Sequence, residues 1–310
     1  MLFSSALLVL AVVVLAAVAA KWLKGGPGPA PAGQAIAIGG VLYPIGTPVV
    51  LWNEPGGYDA YQKRCRDNPA RVLPTAPAPG ADTPERIGAR SPAGADLRAL
   101  ISQLVIHYDA AYTSRNCFHV LQDERGLSVH FMCDLDGTLY QTCDVAERAR
   151  HAREANNRSV GVEVAHPGAL EGEKGLAARY RRDALGTFLE LPPRLAAEPL
   201  RTPGFVARPA RPEPVRGTIQ GRVQTQYDFT DAQYRALAHL AAGLSRALPR
   251  IPLEVPRDAQ GRVLDRAFPD PAAAAAFAGV VGHWHLQTDK FDPGPAFDWD
   301  RFLAEARALK

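Results

Sequence analysis

The stretch of residues 282–299, which reads GHWHLQTDKFDPGPAFDW, constrains the fold of this chain more than any other. Its DPGP run forces a turn, because proline fixes its own backbone and glycine tolerates positive φ, so the Asp292 carboxylate is held on a stiff corner. His283 lies nine residues earlier, and together the two side chains could bind one divalent ion. Two ligands are too few, so a third must come from elsewhere. The simpler interpretation is an exposed turn with incidental histidines.

The N-terminal end predicts export or membrane attachment. Residues 1–20 carry no charged side chain, and a helix of that length can cross a bilayer core of about 30 Å. The segment is either an anchor or a signal peptide with a small-residue cleavage site. Lys21 and Lys24 follow it. If the segment is not cleaved, the positive-inside tendency would place the rest of the chain on the cytosolic side of the membrane. We nevertheless expect an exported protein, periplasmic or cell-envelope, with membrane attachment through residues 1–20 if they are not cleaved.

The overall charge excludes one class of partner. A net charge of +3 without a basic stripe interleaved with aromatic residues predicts no nucleic-acid binding. The hydrophobic content of 47% is enough for a sizeable core. Nothing in the sequence predicts an oligomeric state.

The four cysteines show no CxxC spacing, which argues against a cysteine zinc site. Asp136-Gly137 predicts a two-residue hairpin turn, which would set Cys133 opposite Tyr140 and Cys143 opposite His130. These pairs would lie on opposite faces, so we expect no disulfide between Cys133 and Cys143.

Shifts in composition divide the chain into segments. Residues 21–34 form a Pro/Gly/Ala linker, and residues 35–96 form an N-terminal extension whose first part favours a hairpin or edge strands. The main domain covers residues 97–310. Within it, residues 168–226 lack a sustained period, which predicts a long insertion that is either disordered or a ligand-covering loop.

The periodic segments predict an α/β domain. Strands are expected at residues 104–106, 129–134, 138–142, 160–165 and 279–282. Helices are expected at residues 113–123, from a capping box at Thr230 to Leu248, and at residues 299–309. Strands that alternate with helices, together with one hairpin, imply a central mixed β-sheet flanked by helices.

His107 is the candidate for the third ligand, because it ends an apolar strand and polar loop residues follow it. The alternative is a hydrogen-bonded core histidine. With His283 and Asp292 it would give an N,N,O set with a fourth position for water, which is the pattern of catalytic zinc. Zinc lowers the pKa of its water to about 7 and can polarise a carbonyl group.

Hydrolytic chemistry also needs a base and a cation for the developing oxyanion. Glu163 is a carboxylate inside an apolar strand, where charged side chains are rare, so it is the candidate base. Lys290 is the candidate for the oxyanion; the alternative is a solvated surface lysine.

Four segments in this order resemble one enzyme family: LVIHYDA, GLSVHFMCDLDGTLYQ, RHAREANNRSVGVEV and GHWHLQTDKFDPGPAFDW. They are similar to the zinc-dependent N-acetylmuramoyl-L-alanine amidases. That superfamily includes amidase-type phage lysozymes, anhydro-muropeptide amidases and peptidoglycan recognition proteins. The similarity covers about residues 100–166 and 227–305.

The resemblance implies His107, His283 and Asp292 as zinc ligands, with Glu163 and Lys290 as catalytic residues. It also implies cleavage of the amide between the lactyl group of N-acetylmuramic acid and L-alanine. Peptidoglycan or a muropeptide is therefore the expected partner.

Two departures from the family pattern matter. Val129 stands where some members place a catalytic tyrosine, so the role of base rests on Glu163. His151 opens His-Ala-Arg where members commonly have His-Ala-Gly, and we expect it to line the substrate cleft. His130 and His285 are expected to be structural rather than ligands.

Three functions remain open on the sequence. The first is a peptidoglycan amidase that acts outside the cytoplasmic membrane. The second is a recognition module that binds muropeptides without cleaving them, but such members usually lack a zinc ligand and none is missing here. The third is a recycling amidase for anhydro-muropeptides, which the placement of Lys21 and Lys24 favours.

Overall fold

The structure, a computed structural model, describes residues 33–61, 95–172 and 174–310. The predicted apolar segment 1–20, most of the predicted linker and residues 62–94 of the extension lie outside the described residues. Within the described ranges, no helix is long and apolar enough to cross a membrane.

The described ranges contain strands and helices. The strands are β1 (Ala35–Ile38), β2 (Val41–Pro44), β3 (Val49–Leu51), β4 (Gln103–Tyr108), β5 (Phe131–Cys133), β6 (Leu139–Gln141), β7 (Ser159–Val164), β8 (Leu170–Glu171), β9 (Tyr180–Asp183), β10 (Gly186–Leu189), β11 (Val215–Ile219), β12 (Arg222–Gln226) and β13 (Gly279–Gly282). The helices are α1 (Ala95–Leu100), α2 (Ser114–His119), α3 (Pro193–Ala196), α4 (Asp231–Ala247), α5 (Pro271–Ala276), α6 (His283–Leu286) and α7 (Trp299–Ala308).

A six-stranded mixed sheet in the order β13-β4-β7-β5-β6-β3 forms the centre of the fold. The neighbours β13, β4, β7 and β5 run parallel, and β5 pairs antiparallel with β6. The predicted fold class, a mixed sheet flanked by helices, is confirmed. Because β13, β4 and β7 are parallel, their carboxyl ends meet at one edge of the sheet, where ligands commonly bind in open α/β sheets.

Alternation along the strands separates two faces of the sheet. On one face, apolar side chains such as Leu104, Ile106 and Val162 join the main core with α4 and α7. On the other face, Met132 packs with Phe118 of α2. Residues that alternate with the main-core positions therefore point to the α2 face.

The helix signals in the sequence are confirmed. Thr230 and Gln233 form the expected capping box, in which the Gln233 N–H donates to Thr230 Oγ1 over 3.1 Å and the Thr230 N–H donates to Gln233 Oε1 over 3.0 Å. The predicted helix at residues 113–123 is present as α2, followed by a π-helical turn (Val120–Arg125) that ends at Gly126 with φ of 59°.

The predicted hairpin is present, but its predicted register was wrong by one residue. Cys133 lies opposite Leu139, and Tyr140 lies opposite Met132. The reason is a three-residue loop instead of two, with Gly137 at φ of 80° and the Asp134 N–H donating to the Thr138 carbonyl. Cys133 and Cys143 still lie in different apolar clusters, and Cys133 forms no disulfide bond, so the two are not joined, as expected.

The insertion at residues 168–226 is folded. Of the two alternatives, disorder was wrong, because the segment forms short strands that have little hydrophobic period. Strands β11, β12 and β8 form one sheet, and β9 and β10 form another. Tyr180 and Leu189 of the insertion pack against Leu135 and Ala165 of the main domain. The extension also contributes to the domain, since β3 pairs with β6 at the edge of the central sheet.

We predict that Thr230→Ala lowers the free energy of unfolding by about 2 kcal/mol. The Thr230 hydroxyl caps α4 and also donates to the Leu135 carbonyl over 2.8 Å, so the substitution removes both bonds. Urea unfolding measures the change. Thr230→Ser keeps the hydroxyl and is the matched control, with a loss under about 1 kcal/mol. Equal stability of the alanine variant and the parent would contradict the prediction.

Candidate metal centre

Three donor atoms converge where the parallel strands end. His107 Nδ1 lies 2.8 Å from Asp292 Oδ2 and 3.1 Å from His283 Nδ1, and His283 Nδ1 lies 3.0 Å from Asp292 Oδ2. All three residues are buried. The structure thus brings together the three side chains that the sequence singled out as metal ligands, although 176 residues separate the two histidines in the chain.

The donor set fits a divalent metal. If both imidazoles donate their Nδ1 proton to Asp292, the two Nδ1–H groups face each other at 3.1 Å, and any other arrangement leaves one contact unpaired. A cation among the three atoms satisfies all of them at once. Two imidazole nitrogens and one carboxylate oxygen are a donor set found in zinc sites that keep an open position.

Burial and mutual contact tune the ligands. Burial, followed by the nearby His283, lowers the pKa of His107 to about 4, so its ring is neutral and able to coordinate near neutral pH. Burial would raise the pKa of Asp292, but His283 and the hydrogen bonds from both histidines hold it well below the usual range. The site therefore presents the neutral imidazole of His107 beside the ionised carboxylate of Asp292.

His151 contacts the outer nitrogen of one ligand. Its Nδ1 lies 3.0 Å from His107 Nε2, its Nε2 lies 3.3 Å from Ser159 Oγ, and that hydroxyl donates to the Ala155 carbonyl. The ring rests on Gly161, where a Cβ would lie 2.6 Å from it. His151 thus supports His107, and both side chains line the same cavity.

Glu163 lies beside His107 because the two are direct partners in the parallel pair of β4 and β7. Alternation puts both on the α2 face, opposite the main core. Its Oε2 is buried and has no hydrogen-bond partner among the described residues. Burial, then the charges of Asp292 and Asp109, raise the pKa of Glu163 well above its usual value. A carboxyl group in this state is a candidate proton acceptor.

A cleft of about 490 Å³ opens over these groups. Its lining includes four cationic residues, Arg125, Arg150, Arg153 and Lys290. The lining comes from residues 107–163 and 283–292, so no residue of the insertion at 168–226 lines this cleft.

Sequence reasoning missed several residues of the cleft. Asp109 is a half-buried residue whose Oδ1 accepts from the N–H groups of Ala111 and His166, and its carboxyl lines the cleft near Glu163. Its place two residues after His107 was the available signal. For Arg125 and Arg150 the sequence held no signal, because only the fold turns them to the cleft.

Arg153 takes the position of the usual glycine with φ of 49°, a left-handed conformation that glycine adopts more readily. Its guanidinium lies 3.3 Å from the carboxylate of Asp289. Two further histidines bond to the backbone: His130 donates to the Glu147 carbonyl and accepts from the Gly161 N–H, and His285 contacts the Leu264 carbonyl at 2.9 Å.

Three buried N,N,O donors with a carboxyl group beside them, at the carboxyl edge of a mixed sheet, form a group that could hold a metal ion, and metal-dependent hydrolytic sites use donors of this kind. Residues 97–295, more than half of the chain, match the N-acetylmuramoyl-L-alanine amidase family. The chain belongs to this family.

Solved structures give weaker similarity. The amidase AmiD from E. coli, in complex with anhydro-N-acetylmuramic acid-L-Ala-D-gamma-Glu-L-Lys, is 19% identical with a TM-score of 0.37, covering 66% of this chain and 57% of that chain. A selenomethionine derivative of AmpD is 20% identical with a TM-score of 0.33, covering 77% and 98%. AmpDH3 from Pseudomonas aeruginosa, in complex with anhydromuramic pentapeptide, is 16% identical with a TM-score of 0.35, covering 66% and 59%.

The chain therefore spans less than two thirds of the AmiD and AmpDH3 chains. None of the curated proteins compared with this chain matches it.

We predict that Asp292→Ala weakens metal binding by at least about tenfold, because the two remaining imidazole ligands supply no negative charge to hold a divalent ion. Metal content is measured by mass spectrometry after incubation with Zn²⁺ and dialysis. His119→Ala, which removes an exposed histidine paired with Asp123, is the control and keeps the parent's content. Full occupancy in the Asp292 variant would remove this residue from the ligand set.

Proposed function

We propose that the protein is a zinc-dependent peptidoglycan amidase, which hydrolyses the amide bond between N-acetylmuramic acid and the L-alanine of the stem peptide. Family membership supports the bond class. The observation that carries the proposal is the convergence of His107, His283 and Asp292 within 3.1 Å of one another, with the Glu163 carboxyl in the same cleft.

His107, His283 and Asp292 would hold the zinc, which supplies a water of lowered pKa and polarises the substrate carbonyl. Glu163 takes the proton of the attacking water and returns it to the leaving amine of alanine. The ammonium group of Lys290 stabilises the negative charge that develops on the carbonyl oxygen. Val129 stands where some family members have a catalytic tyrosine, but it is buried in an apolar cluster and has no group that can carry a proton. This supports Glu163 as the proton carrier.

The charge of the cleft suits an acidic stem peptide. Arg125, Arg150 and Arg153 line it together with Lys290, and a guanidinium group can bind a carboxylate through two parallel hydrogen bonds. Peptidoglycan stems carry free carboxylates, so a muropeptide or intact peptidoglycan is the proposed substrate. A location outside the cytoplasmic membrane goes with this proposal, because that is where intact peptidoglycan lies.

We predict that Glu163→Gln keeps the parent's zinc content and lowers kcat by about 10²–10⁴-fold, because the amide cannot take up the proton of the water. The assay is digestion of purified cell-wall sacculi, with mass spectrometry of the released peptides and a parallel sample treated with chelator. Glu154→Gln, at an exposed position, is the control. Loss of zinc from the Glu163 variant would mean that this carboxyl is a ligand and not the base. Release of peptides without a free L-alanine amine would contradict the proposed bond.

The raised pKa of Glu163 predicts how the activity falls as the pH is lowered. The base must be ionised to act, and its pKa lies above the ordinary glutamate value of about 4.3. We therefore expect kcat/KM to fall, as pH is lowered, at a pH above that value. Zinc content measured at each pH separates this effect from loss of the metal. A limb centred at or below the ordinary value, with zinc retained, would contradict the assignment.

A further inference from the structure

The hairpin of β11 and β12, which belongs to the insertion, touches both ends of the segment that carries two of the metal ligands. We call residues 283–296 the metal loop. At one end, Gln220 Nε2 at the tip of the hairpin donates to the carbonyls of Trp284 at 2.8 Å and Gln287 at 2.9 Å. At the other end, Gln226 Nε2 donates to the Pro293 carbonyl at 3.0 Å.

Gln220 donates hydrogen bonds at the carboxyl end of the helix α6. A helix of one turn leaves its last carbonyl groups without partners in the helix. The single amide of Gln220 bonds one such carbonyl, that of Trp284, and the carbonyl of Gln287 directly after the helix, and its own Oε1 accepts from the Ala267 N–H at 3.2 Å. The Gln220 N–H in turn donates to the Asp265 carbonyl, so the tip of the hairpin is fixed to its surroundings.

The backbone conformation at Gln220 does not favour glutamine, which indicates that its side chain has a role beyond forming the turn. Gln220 has φ of 54° and Gly221 has φ of 73°, which are the two positive angles of a two-residue hairpin turn. Asparagine, aspartate and glycine suit such a position better than glutamine. The longer side chain of glutamine is what reaches the carbonyls of α6.

Gln287 links this contact to a metal ligand. Its Nε2 lies 2.6 Å from Nε2 of His283, and its Oε1 is buried without a hydrogen-bond partner in the described part of the chain. His283 turns Nδ1 to Asp292, so when Nδ1 binds a metal the proton of the neutral ring lies on Nε2 and needs an acceptor. The two ends of an amide have nearly the same shape, and a reversed Gln287 amide presents Oε1 to that proton.

We propose that Gln220 and Gln287 are positioning residues of the metal centre: the insertion hairpin holds α6 through Gln220, and Gln287 accepts the outer proton of His283. The insertion is then part of the metal site although it lines none of the cleft. This inference rests on the proposed metal-dependent function.

Gln226 supports the same role at the far end of the metal loop. Its Oε1 accepts from the Ala296 N–H at 3.1 Å, and its side chain is fully buried. A Cβ on Gly294 would lie 2.0 Å from that oxygen, so the glycine allows the close approach. The hairpin thus holds the turn that follows Asp292 as well as the helix that contains His283.

The role of Gln287 is tested with two substitutions of similar size. Gln287→Glu keeps an acceptor for the His283 proton and should bind Zn²⁺ at least as tightly as the parent. Gln287→Met has no acceptor of this kind, and its zinc Kd should rise roughly 10–100-fold. Affinity is measured in the full chain by competition with a chromophoric chelator. Equal affinity of the methionine variant and the parent, or equal weakening in both variants, would overturn the role of Gln287.

The role of Gln220 is tested with Gln220→Asn. Asparagine keeps the amide and suits the turn, but it is one methylene too short to reach α6. We expect a zinc Kd about tenfold higher and a changed visible absorption spectrum of the Co²⁺-loaded variant, in a metal-free chain that still unfolds in one cooperative transition. Thr218→Ala, at an exposed position of the same hairpin, is the control and should change none of these.

The outcomes separate this inference from the proposed function. Parent-like zinc affinity and Co²⁺ spectrum in Gln220→Asn would overturn the role of the hairpin while the metal site stands. A parent chain that binds no zinc would overturn the proposed function, and this inference with it.

Discussion

The parallel pairing of β4 with β7 is the constraint on which the site depends. It sets His107 directly opposite Glu163, and a shift of one residue would turn one of the two into the main core. The apolar neighbours in the same strands, Ile106 and Val162 among them, hold the register. Burial of each such side chain contributes about 1.5–3 kcal/mol. The apolar face therefore determines where the polar face presents its imidazole and its carboxyl.

The sequence predicted the parts of the site whose position follows from local pattern. His107 ends an apolar strand, and Glu163 interrupts another, so both could be singled out from periodicity. Asp292 stands at a Pro/Gly corner, where turn chemistry is local. The mixed sheet followed from the same signals, since strands that alternate with helices favour parallel neighbours. That these residues share one ion was an expectation from their chemistry, and the structure brings their donor atoms together.

Other features could not be predicted because contacts between segments that are distant in the sequence decide them. The hairpin register depends on whether Asp136-Gly137 forms a loop of two or three residues, and the dipeptide suits both. The insertion lacks a hydrophobic period because its strands are short and half exposed, yet Tyr180 and Leu189 give it a core with the main domain. Gln220 is a glutamine in a polar hairpin, and only the approach of α6 makes its amide a cap.

Electrostatics connects the metal ligands to the base. Burial and the charges of Asp292 and Asp109 raise the pKa of Glu163, whereas Arg125 and Lys290 lower it. A divalent ion bound at Asp292 would offset the carboxylate that most opposes ionisation of Glu163, so metal binding and readiness of the base are coupled. The same ion would be held by His283, whose orientation, in the role that we propose for Gln220 and Gln287, depends on the hairpin of the insertion. Because the chain of contacts runs from Gln220 through α6 to His283, a change far from the cleft can alter the charge that the base experiences.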